Sequence, residues 1–179
     1  LSESNFDQQQ GYGDDIYCEK AKAAIKAKTG NTNSDIYFVS GGTQANTIVI
    51  ASALKTFEGV IAATTGHINV HETGAIEATG HKIILVPSFN GKVKAEDIIK
   101  ECDRAEDHHM VRPAMVYISN STELGSIYNK TELTALSETC KARNLYLYLD
   151  GARLGSALSS VNNDLSLADL SKLTDAFYI

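Results

Sequence analysis

Short apolar runs alternate along this chain with longer stretches in which apolar residues recur every three or four positions. Runs of the first kind read as buried strands and stretches of the second as amphipathic helices. Strands are predicted at Asp35–Ser40, Val60–Thr64, Lys82–Val86, Ala114–Ser119, Leu145–Leu149 and Ala176–Ile179. Helices are predicted between them: Glu19–Lys28 with a stop at Thr29-Gly30, Gln44–Thr56, Val70–Thr79, Ala95–Asp107 with Ile98 and Ile99 inward, and Leu165–Leu173. Asn129 with Glu132 forms a capping-box pattern that opens one more helix, to about Arg143. Asn90-Gly91 reads as a turn. Strand and helix in alternation predict an α/β fold, a three-layer arrangement with a mostly parallel sheet flanked by helices.

Composition adds limits. At 179 residues and 43% apolar the chain has the material for about one domain, on a prior of ~100–200 residues each. A net charge of −6 argues against a nucleic-acid partner, because such surfaces are usually basic. No apolar run approaches the ~20 residues of a membrane-spanning helix. Three scattered cysteines, Cys18, Cys102 and Cys140, suit neither a disulfide framework nor a zinc site, and a cytoplasmic location is the expectation.

The nine residues Leu145–Arg153 carry the strongest chemical signal. A strand-like run delivers Asp150 to its carboxyl end, where the ligand crevice of an open α/β sheet lies. A buried carboxylate needs a partner, and Arg153 follows three residues later; the bland alternative is a structural ion pair at the edge of the core. Ser40-Gly-Gly-Thr43 lies between a predicted strand and a helix, so its glycines and the helix start could cradle an anion, or simply form a turn. Neither the P-loop nor the dinucleotide glycine pattern fits it. Together the two segments suggest a cofactor with a phosphate and a protonatable ring nitrogen. His67 also follows a strand, either as a flat plate against a planar ligand or as a loop histidine. His67 and His71 lack the adjacent glutamate of a zinc protease motif, with Ile68 in its place, so no metal is expected. Ser119–Thr122 either lines the crevice or makes a polar turn. His108-His109 reads as a solvated loop.

Taken in order, Tyr12-Gly-Asp-Asp15, Ser40–Asn46, His67, Ser119–Thr122 and Asp150–Arg153 resemble the low-specificity L-threonine aldolases, which are pyridoxal-phosphate lyases of the aspartate-aminotransferase fold type. The resemblance covers almost the whole chain. It implies that Gly42 and Thr43 hold the phosphate of pyridoxal 5'-phosphate, with Gly41 in the turn. It implies too that His67 stacks on the pyridine ring, that Asp150 bonds the ring N–H, and that Arg153 contacts the phenolic oxygen or the substrate carboxylate. Tyr12 stands where a residue helps to build the site across a subunit boundary. The implied reaction is retro-aldol cleavage of a small β-hydroxy amino acid, L-threonine or L-allo-threonine, to glycine and acetaldehyde, by a homodimer or homotetramer.

Two departures from the family pattern stand out. Where many members carry a histidine near the substrate hydroxyl, the matching residue here is Thr122, a candidate catalytic residue, and the departure leaves the proton acceptor open. The family's Schiff-base lysine follows a strand like Ala176–Ile179, and the sequence ends before it. Lys172 precedes that strand and does not take the role. Leu1 opens a segment that reads as the tail of a helix, and the chain is expected to be an incomplete large domain, without the small carboxyl-terminal domain and inactive alone. The alternatives are another β-eliminating lyase of the same fold, or a phosphate-binding fragment without catalysis.

Overall fold

The computed structural model describes residues 3–179. The expectation for Leu1 lies outside the described residues. Helix α1 (Ile16–Thr29) is capped by the Asp15 carboxylate, which accepts from the backbone N–H groups of Tyr17 and Cys18 at 2.9 Å each. Helix α2 (Gly42–Ala53) leads into strand β1 (Glu58–Ala63), the one-turn helix α3 (His67–Val70), β2 (Lys82–Val86) and α4 (Ala95–Arg104). Strand β3 (Arg112–Ser119), α5 (Lys130–Ala142), β4 (Tyr146–Asp150), the short helices α6 (Leu154–Leu158) and α7 (Leu167–Leu173), and β5 (Ala176–Phe177) complete the chain.

The strands form one parallel sheet in the order β2-β1-β3-β4-β5. This is the three-layer α/β architecture expected. Parallel strands covered on both faces read as unbroken apolar runs, and every residue of β1 is buried. The two-residue period of a strand divides the core into two layers. Ile61, Val116, Ile118, Leu147 and Leu149 pack on the side of α4, α5 and α7. Val60, Ala62, Met115, Tyr117 and Tyr148 face Ile50 of α2, Ile68 of α3 and Ile76. The predicted capping box of Asn129 and Glu132 is present, and Asn90-Gly91 turns back a small antiparallel bridge between Phe89 and Lys92.

Three expectations are corrected. Asp35–Ser40 is not a strand: it has no ladder among the described residues, and Tyr37 (82% exposed), Phe38 and Val39 are open. A strand exists only with a neighbour to share its hydrogen bonds. Val70–Thr79 is not a helix either. Thr73 and Gly74 have positive φ, of 54° and 76°, which breaks a right-handed helix. Of it, Val70 ends α3 and Glu77–Thr79 forms a 3₁₀ turn. In α4, Ile98 is fully buried while Ile99 is exposed, one position further round the helix.

From β1 the chain passes to β2 on one side, and then crosses back to β3 on the other. The strand order therefore reverses between β1 and β3, and in open α/β sheets the ligand crevice lies outside the carboxyl ends at such a point. His67 follows β1, Asn120–Glu123 follow β3, and Asp150 closes β4.

Candidate active site

The period of β4 places Tyr148 and Asp150 on one face of the sheet, the face covered by α2. Asp150 is 2% exposed. Its Oδ2 accepts from the Tyr117 hydroxyl at 2.5 Å and from Asn46 Nδ2 at 3.3 Å, and its Oδ1 accepts from the Ala152 N–H at 3.0 Å. All three donors are neutral. The cationic partner expected in Arg153 is not one of them: Arg153 donates to Glu123 Oε1 at 2.9 Å and twice to the Ser121 carbonyl, at 3.1 and 3.2 Å. The arginine clamps the segment after β3 to the segment after β4 instead. A ring of polar contacts still joins them, since Ser119 Oγ donates to Glu123 Oε1 at 2.7 Å and lies 3.3 Å from the Tyr117 hydroxyl. Burial, then the Asp150 charge, raises the Tyr117 phenol far above its ordinary value, so it remains a donor. Tyr117→Phe is expected to destabilise the full-length protein by about 1–3 kcal/mol, the scale of removing a partner from a buried carboxylate. Urea unfolding of the variant checks this; an unchanged midpoint would show that Asp150 does not depend on this bond.

Asn46 connects this acid to the start of α2. It lies one turn beyond Thr43, on the same helix face, and its Nδ2 also donates to Glu72 Oε1 at 2.5 Å. Gly41, at the N-cap, supplies no capping side chain, so the free N–H groups of the first turn are offered outward. Thr43 is exposed there. Ser40 turns inward to its own helix, its N–H and hydroxyl both donating to Gln44 Oε1 at 2.8 Å. A Cβ at Gly42 would stand 2.6 Å from the Tyr178 hydroxyl, so a side chain there would displace that ring.

His67 begins α3, and its Nδ1 lies 2.8 Å from Glu72 Oε1. The ligand atoms of His67, Glu72 and Asp150 all lie within 4.8 Å of one another. His67, Glu72 and Asp150 thus come together with Asn46 of α2 beyond the carboxyl ends of β1 and β4. Glu72 Oε2 is buried there without a hydrogen-bond partner. Two buried carboxylates at close range, served by neutral donors and one imidazole, favour an incoming cationic group. A protonated ring nitrogen beside an anion-binding helix start meets both demands, so the residues fit a phosphate-bearing pyridinium.

Thr122 is placed otherwise. Its side chain is buried, its hydroxyl donates to the Asn90 carbonyl at 3.1 Å, and it accepts from the Ser126 N–H at 3.2 Å. It holds the loop after β3 against the Asn90-Gly91 turn, which is the polar-turn alternative. Tyr12 is fully exposed, and Lys172 is exposed on α7. His108 and His109 are exposed in the loop after α4; with Asp107 they bring three ligand-type atoms together, all on exposed residues. The sequence reading passed over Glu72, Asn46, Tyr117 and Glu123. For Tyr117 a signal existed, a hydroxyl set within an apolar strand; Glu72 lies in irregular backbone and had none.

The family model of the beta-eliminating lyases matches residues 3–179. The chain belongs to that family. Among beta-eliminating lyases and their relatives, it is 33% identical over 159 residues to the low specificity L-threonine aldolase of Pseudomonas sp. strain NCIMB 10558, covering 88% of this chain and 46% of the relative. A solved threonine aldolase of Leishmania major superposes with a TM-score of 0.98 at 50% identity, over 99% of this chain and 52% of that one. A mutant aspartate aminotransferase of Thermus thermophilus shares the fold, with a TM-score of 0.57 at 18% identity over 72% of this chain and 34% of that one. The chain spans about half the length of the curated and solved threonine aldolases that it matches.

Proposed function

We propose that the full-length protein is a pyridoxal-phosphate-dependent carbon–carbon lyase that cleaves L-threonine or L-allo-threonine to glycine and acetaldehyde. The observation that supports this reading is the Asn46–Asp150 hydrogen bond, which ties the helix that opens at Gly42–Thr43 to the buried carboxylate. The likeness to threonine aldolases of Pseudomonas and Leishmania supports the choice of substrate.

Each residue then has a task. The N–H groups at Gly41, Gly42 and Thr43, with the Thr43 hydroxyl, bind the phosphate through the positive end of α2. His67 would lie against one face of the ring. Asp150 would keep the ring nitrogen protonated by offering it a negative charge. Arg153, held by Glu123 and the Ser121 carbonyl, stands at the crevice edge as a cation for the phenolic oxygen or the substrate carboxylate. When bound, the cofactor supplies an electron sink for the pair left as the Cα–Cβ bond breaks. The Thr122 hydroxyl is already committed to its own loop, so we assign it to shaping the crevice rather than to accepting the β-hydroxyl proton. We also propose a homo-oligomer in which exposed Tyr12 completes a neighbour's site. A cytoplasmic location suits the three free cysteines, and burial pushes the Cys140 thiol up to about 12. No helix among the described residues is long and apolar enough to cross a membrane.

The test is acetaldehyde release from L-threonine and L-allo-threonine by the full-length protein, with and without added pyridoxal phosphate. Cofactor-dependent release is the expected result. Release of a keto acid and ammonia in its place would assign the protein to the β-eliminating reaction, and no cofactor uptake would end the reading.

A further inference from the structure

His67 and Asp150, the two side chains proposed to meet the cofactor ring, are joined through two residues with no part in binding it. Glu72 has no exposed side-chain surface. Its Oε1 lies 2.8 Å from His67 Nδ1 and accepts from Asn46 Nδ2, at 2.5 Å. Asn46 is itself wholly buried and reaches Asp150 Oδ2 with the same nitrogen, at 3.3 Å. Its Oδ1 accepts from the Tyr148 hydroxyl, at 2.8 Å. Burial first, then the Asp150 charge, raises the Tyr148 phenol, which keeps it a donor. These partners settle the amide's orientation: reversing it would set its oxygen against two carboxylates.

The same logic reaches the imidazole. A carboxylate oxygen accepts where an imidazole N–H donates, and the 2.8 Å contact to Oε1 suits a hydrogen on the nitrogen that faces Glu72. We propose that Glu72 and Asn46 are positioning residues: Glu72 holds His67 with Nδ1 protonated and its ring at a fixed angle, and Asn46 ties that assembly to Asp150. The consequence for the cofactor rests on the function proposed above, whereas the state of His67 Nδ1 does not.

A buried carboxylate of this kind could instead serve only to anchor the irregular backbone between α3 and β2. Anchoring predicts lost stability alone. Positioning predicts a change in His67, and rescue by Glu72→Gln, whose amide oxygen can still accept from Nδ1–H.

The experiment uses the full-length protein without cofactor, labelled with ¹⁵N-histidine, and reads the His67 ring nitrogens by NMR. In the parent, Nδ1 is expected to be protonated; an unprotonated Nδ1 would overturn the proposal with no variant needed. Glu72→Gln is expected to keep that state, and Glu72→Ala to lose it. In parallel, Glu72→Ala should weaken pyridoxal phosphate binding by about tenfold to a hundredfold, the reach of one charge-assisted hydrogen bond. Asn46→Asp, the same size with an acceptor in place of the donor, should weaken it comparably. A Glu72→Ala protein with lowered melting temperature but unaltered His67 and cofactor affinity would reduce Glu72 to an anchor. Parent affinity in Asn46→Asp would remove Asn46 from the proposal. Failure of the parent to take up cofactor would end the functional reading and leave the Nδ1 result standing.

Discussion

Asp150→Asn in the full-length protein is expected to cut turnover by about tenfold to a hundredfold, far more than it weakens cofactor retention. The size follows from the bond at stake. A hydrogen bond to a charged group is worth ~1.5–3 kcal/mol, and each ~1.4 kcal/mol of barrier is a factor of ten. The carboxylate accepts on both oxygens, from Tyr117 and Asn46 on one and from the Ala152 N–H on the other. An asparagine offers one acceptor and must turn its NH₂ toward an existing donor. It also removes the charge that would keep a ring nitrogen protonated. Retention would also draw on the uncapped start of α2, which the substitution leaves alone. The measurement pairs threonine-dependent acetaldehyde release with cofactor content after dialysis. Turnover equal to the parent's would confine Asp150 to a structural task.

Gly151→Ala is expected to destabilise the full-length protein by about 3 kcal/mol or more, at or above the upper end of ordinary overpacking. A Cβ at this position would run into the Tyr178 carbonyl oxygen and stand 3.2 Å from the Leu154 Cβ. Backbone cannot swing aside as a side chain does. Tyr178 is held by its N–H bond to the Leu149 carbonyl, next to the β4–β5 ladder. Relief of the clash would part β5 from β4 and draw the Tyr178 hydroxyl away from Gly42. Gly155→Ala is the control. It lies in α6 with no atom within 4 Å of its Cβ position. Alanine there should stabilise slightly, by roughly 0.5–1 kcal/mol, since glycine is a poor helix former. Denaturant unfolding of both variants decides the matter, and equal midpoints would refute the steric account.

The alternating sheet and helix pattern was legible because hydrophobic burial leaves a local mark. A parallel strand covered on both faces must be apolar throughout, and Glu58–Ala63 and Tyr146–Asp150 lie within a residue or two of the runs that announced them. Helix starts were legible for a similar reason: the capping residues Asn129 and Glu132 sit within four positions of each other. Asp35–Ser40 shows the limit. Its composition suits a strand, but pairing is decided by a partner elsewhere in the chain, and none stands beside it among the described residues.

The candidate site divides in the same way. That an acid closes one strand, a histidine follows another and a glycine turn opens a helix is written in the sequence, and parallel topology carries all such ends to one side. Which groups then touch was decided only by tertiary structure. Arg153 lies three residues from Asp150 in sequence but pairs with Glu123, because the loop after β3 folds over it. Asn46 reaches Asp150 across 104 positions, and Glu72 turns in from irregular backbone to hold His67. Hydrogen bonds act over about 3 Å, so their partners follow from the packing of α2 and α3 on the sheet and leave no periodic trace along the chain.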